Sequence, residues 1–159
     1  ICVISSLSII SGSVYAQENK TVVYKPKFFA IQYSRSGSIT EINTTAYSLE
    51  LNDVSDKTIL FSDRPDRIVT SVSILDLIGN WSTGVDSFAM DKPNSVLVVY
   101  ESEKQDITII ELFNPIYDSK KKALKYEITA DNATSMELPS EVGQTTLFID
   151  CLHNIPGCF

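Results

Sequence analysis

Two arginines and two aspartates flank a proline in the segment Phe61-Ser62-Asp63-Arg64-Pro65-Asp66-Arg67. A guanidinium group can bind a carboxylate or a phosphate through two parallel hydrogen bonds. Arg64 and Arg67 are therefore candidates for an anion-binding site. Each arginine also has an aspartate within reach, so a structural corner in which these charges neutralise each other is the favoured interpretation.

A second polar cluster, Asn52-Asp53-Val54-Ser55-Asp56, offers oxygen ligands of the kind that calcium prefers. Asn52, Asp53 and Asp56 are the candidate metal ligands. Their spacing lacks the alternating ligands, the glycine and the distal glutamate of an EF-hand loop. A plain turn is therefore favoured over a metal site, and we predict no cofactor.

The chain offers little for catalysis. Its one histidine is His153, and no nucleophile-elbow motif is present. Imidazole-based metal sites need more than one histidine in most cases. None of the six glycines belongs to a phosphate-cradling loop. Twenty acidic residues leave a carboxylate-dependent hydrolase open, but no pair of them stands out. A non-enzymatic protein is the favoured interpretation.

The charge balance limits the partners. Thirteen basic and 20 acidic residues give a net charge of −7. Such a chain repels the phosphate backbone of nucleic acids and the anionic surface of membranes. We therefore expect a protein or a small ligand as the partner, no nucleic acid, and a membrane only if an N-terminal anchor is retained.

The first sixteen residues, Ile1 to Ala16, carry no charge and end in Val14-Tyr15-Ala16. Small residues at the first and third positions before a cut suit signal peptidase, which predicts cleavage after Ala16. The lack of an initial Met and of a basic leader suggests an N-terminally truncated signal peptide. An uncleaved anchor is the alternative, although a spanning helix needs about 20 residues. The expected location is extracellular or at the cell surface.

Export would also permit two covalent modifications. Cys151 and Cys158 form an even pair near the C-terminus, and oxidising compartments favour a disulfide between them. Metal binding by the two thiols beside His153 is the alternative. Sequons for N-glycosylation occur four times, and Asn80 is the doubtful one because it adjoins an expected core residue, Trp81. The candidate acceptors are Asn19, Asn43, Asn80 and Asn132.

The elements that must position these residues follow from hydrophobic periodicity. Apolar and polar residues alternate with a period of two over most of the chain, which predicts strands. The predicted strands are 28–33, 47–51, 58–61, 67–72, 96–100, 106–113, 124–128 and 145–149. Turn residues separate them, including 34–38, and Asn114-Pro115 is expected to end the sixth strand. About eight short strands at this spacing indicate an all-β fold, a β-sandwich.

One short helix is expected between the fourth and fifth strands. Ser73 is placed to cap it, with Asp76 three residues on. Gly79 is predicted to end it in the left-handed conformation. Trp81 follows, and a lone tryptophan beside an apolar helix is expected to fill the core rather than to form an exposed ligand platform.

The chain thus divides into four parts. Residues 1–16 are the signal peptide or anchor, and 17–27 are a linker or an edge strand. The β-sandwich domain covers 28–150, and 151–159 form a tail with the possible disulfide loop. We predict an exported binding or accessory domain at the cell surface. A subunit of an envelope or membrane complex, held by an uncleaved helix, is an alternative to it.

The block from Tyr47 to Asn94 resembles an uncharacterised family of small exported proteins from archaea and bacteria. The shared motifs are Phe-Ser-Asp-Arg-Pro, Arg-Ile-Val, Asn-Trp, Asp-Ser-Phe-Ala and Pro-Asn, at 61–65, 67–69, 80–81, 86–89 and 93–94. They span about a third of the chain. The resemblance implies export and a compact domain, and it carries no activity. The ending 151–159 has no counterpart in the family pattern, so the resemblance does not support the disulfide.

Overall fold

The computed structural model describes residues 26–84, 87–100, 105–130 and 138–151. These residues form ten strands and one helix: β1 Phe28–Ser34, β2 Ser36–Glu41, β3 Tyr47–Asn52, β4 Lys57–Ser62, β5 Val69–Ser73, α1 Ile74–Gly79, β6 Asn94–Tyr100, β7 Gln105–Asp118, β8 Ala123–Ala130, β9 Glu141–Val142 and β10 Gln144–Cys151. The predicted all-β class with a single short helix is confirmed.

All ten strands belong to one antiparallel sheet with the order β5-β4-β1-β10-β6-β7-β8-β3-β2-β9. Only one residue, Arg35, separates β1 from β2, and only Gly143 separates β9 from β10. The pairing of β1 with β10 and of β2 with β9 keeps one continuous register. Because β1 continues into β2 and β9 continues into β10, the ten strands form eight continuous segments of extended chain.

The sheet curls around one of its faces. From β2, the hydrogen-bonded ladders lead through β3, β8, β7 and β6 to β10. The chain then leads back across Gly143 to β9, which pairs with β2. This curl lets a single sheet bury one face with almost no help from helices, since alternate side chains point to its inside.

The core inside the curl is largely apolar, and one chain of side-chain hydrogen bonds crosses it. Leu49, Leu124 and Ile149 are fully buried. Tyr126 of β8 donates a hydrogen bond to Oε1 of Gln32 in β1 over 2.9 Å. The amide of Gln32 donates in turn to Oγ1 of Thr58 in β4 over 3.1 Å. Because β8 and β1 are not neighbours in the sheet, this chain of hydrogen bonds crosses the core.

The predicted turn at 34–38 is wrong, because the chain passes only a bend at Arg35 and continues as β2. Gly37 is buried within β2 and pairs with Leu51 and Val142. A Cβ atom at Gly37 would collide with the carbonyl oxygen of Glu50 and lie 2.9 Å from Cγ2 of Val142. The glycine therefore permits a close approach of strands rather than a turn.

The helix forms where the sequence predicts it, but it ends differently. The hydroxyl of Ser73 accepts a hydrogen bond from the amide of Asp76 over 3.0 Å, which is an N-cap. Gly79 is the last helical residue and has no left-handed backbone. Asn80 caps the C-terminus instead, since its side-chain amide donates to the carbonyl oxygen of Asp76 over 2.8 Å. Within the described ranges, no helix is long and apolar enough to cross a membrane.

The strand β7 runs through the pair Asn114-Pro115, which the sequence analysis took as a strand end. The register with β8 shifts between Phe113 and Ile116. Asn114 adopts a positive φ of 49° at this irregularity. The bulge absorbs the proline, which has no amide proton for the ladder, and so the strand continues to Asp118.

Candidate functional site

A cleft of about 530 Å³ opens beside the helix and the irregular part of β7. Its lining comes from the end of α1 and the loop after it, from the segment before β6, and from the bulge. The nine lining residues are Ile78, Trp81, Ser82, Ala89, Lys92, Phe113, Asn114, Pro115 and Ile116. The end of α1, the loop after it, the segment before β6 and the bulge in β7 thus form a concave site beside an otherwise regular sheet.

Trp81 forms the floor of this cleft. Its side chain is only 4% exposed, which confirms the predicted core position. The ring packs on Phe88 with centroids 4.6 Å apart and on Tyr126 with centroids 5.7 Å apart. Its indole Nε1 is buried and has no hydrogen-bond partner among the described residues. A buried indole N–H usually finds a hydrogen-bond partner, so this one is an exception within the described part of the chain.

Lys92 supplies the only formal charge among the described residues that line the cleft. Its Nζ lies 4.4 Å from the ring centroid of Phe113, a cation–π contact. The register of β6 with β7 places Asn94 opposite Glu111, and this pairing continues toward Lys92 and Phe113. The ammonium is thereby held at the rim of the cleft.

The bulge in β7 completes the wall. It turns Asn114 and Pro115 toward the loop after α1, since a bulge bends its strand and redirects the side chains. Asn114 and Ile116 are exposed, and Phe113 and Pro115 are half-buried. Apolar walls, neutral polar groups and one ammonium suit a molecule with an apolar or aromatic body and one anionic group.

Sequence reasoning did not select Lys92, Phe113 or Asn114 as site residues. Nothing in the separate stretches around 92 and 114 points from one to the other, because they meet only through strand pairing. The available signal was Asn114-Pro115 inside an otherwise regular apolar alternation, which is typical of a bulge as well as of a strand end.

The corner with Arg64 and Arg67 is organised by main-chain hydrogen bonds. The carboxylate of Asp63 accepts from the amide of Arg64 over 2.6 Å, and its carbonyl oxygen accepts from the amide of Arg67 over 3.2 Å. Both arginines are exposed. Anion binding by these two arginines stays a prediction.

The candidate metal ligands lie in a turn whose carboxylates face cations. Asp53 pairs with Arg35 over 3.1 Å, and Asp56 pairs with Lys122 over 3.2 Å. Asn52 ends β3, where its carbonyl oxygen accepts from the amide of Arg35 over 3.2 Å. Among the described residues, no group of three or more His, Cys, Asp or Glu side chains is placed to hold a metal ion.

Two of the four sequons fall within the described ranges. Asn43 lies on the exposed turn between β2 and β3, where its Oδ1 accepts from the amide and the hydroxyl of Thr45 and from the amide of Ala46. These bonds involve its Oδ1, and the residue is exposed. Asn80 is half-buried, and its Nδ2 is occupied by the cap of α1. Asn43 is thus the more accessible acceptor.

Several candidates lie outside the described residues. They are the leader 1–16, the linker up to residue 25, Asn19, Asn132, His153 and Cys158. Cys151, the other half of the predicted disulfide, ends β10.

No family model, characterised protein or solved structure matches the chain. The resemblance stated for the block Tyr47 to Asn94 therefore stays a prediction. Its two most distinctive motifs have clear places in the fold. Phe61 to Pro65 forms the end of β4 and the corner after it. Asn80 caps α1, and Trp81 lines the cleft.

Proposed function

We propose that the protein is an exported, non-enzymatic binding domain that takes a small anionic ligand with an apolar or aromatic body. The observation that supports this most directly is the exposed ammonium of Lys92, held over Phe113 at the rim of a cleft with apolar walls. The ammonium would pair with the anionic group of the ligand.

The remaining contacts follow from the same geometry. The ligand body would lie between Ile78 and Pro115, above Trp81. Contact with the apolar side chains of the lining would contribute to the affinity, and the ammonium of Lys92 would fix the orientation.

Two observations favour binding over hydrolysis as the role of this site. A carboxylate-dependent hydrolase needs two acidic side chains close together at the substrate. None of the described residues that line the cleft is acidic. A lone lysine beside neutral groups serves recognition of an anion better than it serves hydrolysis.

Export rests on the sequence of residues 1–16, which has the uncharged core and the small residues of a signal peptide. The exposed turn at Asn43 would suit glycosylation in a host that modifies exported proteins. An accessory role at the cell surface is the less specific form of this proposal, because it names no ligand.

The proposal is tested with phenylacetate, an aromatic monocarboxylate, and its neutral analogue phenylacetamide. Trp81 is the only tryptophan, so its indole N–H gives a single side-chain signal in a ¹H–¹⁵N spectrum. We expect phenylacetate to shift this signal and to bind more tightly than phenylacetamide. Lys92→Gln should weaken binding about tenfold, or about 1.4 kcal/mol.

Lys120→Gln is the matched control, because it removes the same charge from the exposed tip of the β7–β8 hairpin. It should leave the affinity unchanged. A Trp81 signal that neither compound shifts, or a Lys92→Gln variant that binds phenylacetate as well as the unchanged chain does, would contradict the proposed site.

A further inference from the structure

The outer face of the curled sheet carries a continuous row of apolar side chains. Strand registers place Ile59, Ile31, Phe148, Val96 and Ile109 side by side across β4, β1, β10, β6 and β7. The two outermost members, Ile59 and Ile109, are 48% and 51% exposed. The three members between them are half-buried. A contiguous apolar row on the solvent side of a sheet is typical of an interaction surface.

The neighbouring rows extend this surface in a diagonal direction. At the β4 end, Phe61 stacks on Phe29 with centroids 5.4 Å apart, and Val69 beyond them is 74% exposed. At the β7 end, the row on the opposite side ends in Ile107, which is 54% exposed and pairs with Val98, which is only 4% exposed. We call this diagonal surface, with the central row, the apolar band.

The face formed by the five strands has two corners that the diagonal apolar band does not cover. These two corners carry opposite charges. Lys57 lies on β4, two residues before Ile59, and is exposed. Asp150 and Glu111 lie on the other side of the band, at positions two residues beyond Phe148 on β10 and two beyond Ile109 on β7. Lys57 and Glu111 are placed symmetrically about Phe148, since β10 is the middle of the five strands.

This arrangement is complementary to itself. A two-fold axis along the apolar band exchanges its two corners, so the basic corner of one copy faces the acidic corner of the other. We propose that the apolar band binds the same band of a second copy of this chain, with Lys57 of each copy facing Glu111 and Asp150 of its partner.

The area of the face is sufficient for such a dimer. Strands about 4.8 Å apart and rows about 6.8 Å apart give a face of about 500 Å² once the side-chain borders are included. Two such faces together bury at most about 1,000 Å², because the sheet is curled, and this area is near the lower limit of specific interfaces. Weak, transient pairs are typical of interfaces at this lower end, and we expect the dimer to dissociate in about the micromolar range.

Sedimentation velocity of the chain at about 1 to 100 µM tests the proposal. The unchanged chain should pass from monomer to dimer over this range. Ile59→Lys and Ile109→Lys each place a charge in the band and should weaken the dimer at least tenfold. Met90→Lys is the matched control, because Met90 is 77% exposed and lies outside the band, and it should leave the dimer intact.

Charge-reversal variants distinguish the proposed dimer from the binding of any other molecule to the apolar band. Lys57→Glu and Glu111→Lys should each weaken the dimer several-fold, and the double variant should recover part of this loss, because Asp150 of the partner still faces residue 57. Circular dichroism and the thermal midpoint establish that each variant is folded. A chain that stays monomeric at 100 µM, whether its band binds another protein or one of its own segments, overturns the proposal. So does a double variant that is no better than either single one.

Discussion

The side chain of Gln32 joins opposite sides of the core. Its carbonyl oxygen accepts from Tyr126 and its amide donates to Thr58, and all three side chains are buried. A buried polar group without a partner is costly, so this chain of hydrogen bonds favours one arrangement of β1, β4 and β8 over others. Nearby, the hydroxyls of Ser34 and Thr145 also bond to each other inside the curl.

Tyr126→Phe is expected to destabilise the protein by about 1–3 kcal/mol, because it removes the donor to buried Gln32 while keeping the ring. Urea denaturation measures the change. Tyr100→Phe is the control, since Tyr100 is 42% exposed, and it should change the free energy of unfolding little. Equal stability of the two variants would show that the hydrogen bond to Gln32 does not hold the core together.

At the scale of elements, two kinds of irregularity shape the molecule: one-residue interruptions between strands and a bulge within a strand. The bends at Arg35 and Gly143 let two strands pair over both halves of their length, which closes the curl. The bulge at Asn114 redirects β7 toward the loop after α1 and forms one wall of the cleft. Regular strands supply the core, and the irregular positions supply the concave site.

Gly37→Ala is expected to destabilise the protein by at least about 2 kcal/mol, because the new Cβ would collide with the backbone of Glu50 where β2 and β3 approach closely. Gly79→Ala is the matched variant, since a Cβ there meets no atom within 4 Å. It should be neutral or stabilising by up to about 1 kcal/mol. Thermal or urea denaturation of both variants gives the comparison, and a tolerated Gly37→Ala would argue against a tight β2–β3 contact.

At the scale of the whole molecule, the curl separates two surfaces. The cleft lies beside α1 and the β7 bulge, and the apolar band covers the outer face of β4, β1, β10, β6 and β7. Lys92 belongs to the first surface and Lys57 to the second. Ligand binding and dimer formation can therefore be tested independently with single variants.

The proposed export concerns the whole chain, and cleavage after Ala16 predicts a mature protein that begins at Gln17. Ala16 and Val14 are the small residues that signal peptidase prefers before the cut. The intact mass of the protein isolated from its native host, in non-reducing buffer, measures both the N-terminus and the state of Cys151 and Cys158. A mature chain that begins at Ile1 or upstream would rule out cleavage after Ala16, and free thiols would rule out the disulfide.

Local patterns predicted much of the fold. Alternation located β3, β4, β8 and β10 to within a few residues, because one face of each strand is buried. The cap at Ser73 is a short-range hydrogen bond, so its residues are visible in the sequence. Gly37 and Asn114 were misread, because glycine and Asn-Pro mark a turn, a close approach or a bulge, and only the neighbouring strands decide which.

The sequence by itself thus determined the all-β class, the single helix with its N-cap and the burial of Trp81, since these depend on periodicity and on contacts between near neighbours. Only the tertiary structure decided the curl, the cleft and the apolar band. Each of these depends on which strands pair and in what register: Lys92 meets Phe113 through the β6–β7 pairing, and Ile59 lies in line with Ile109 across three intervening strands. Residues distant in the chain carry no local signal of such partners.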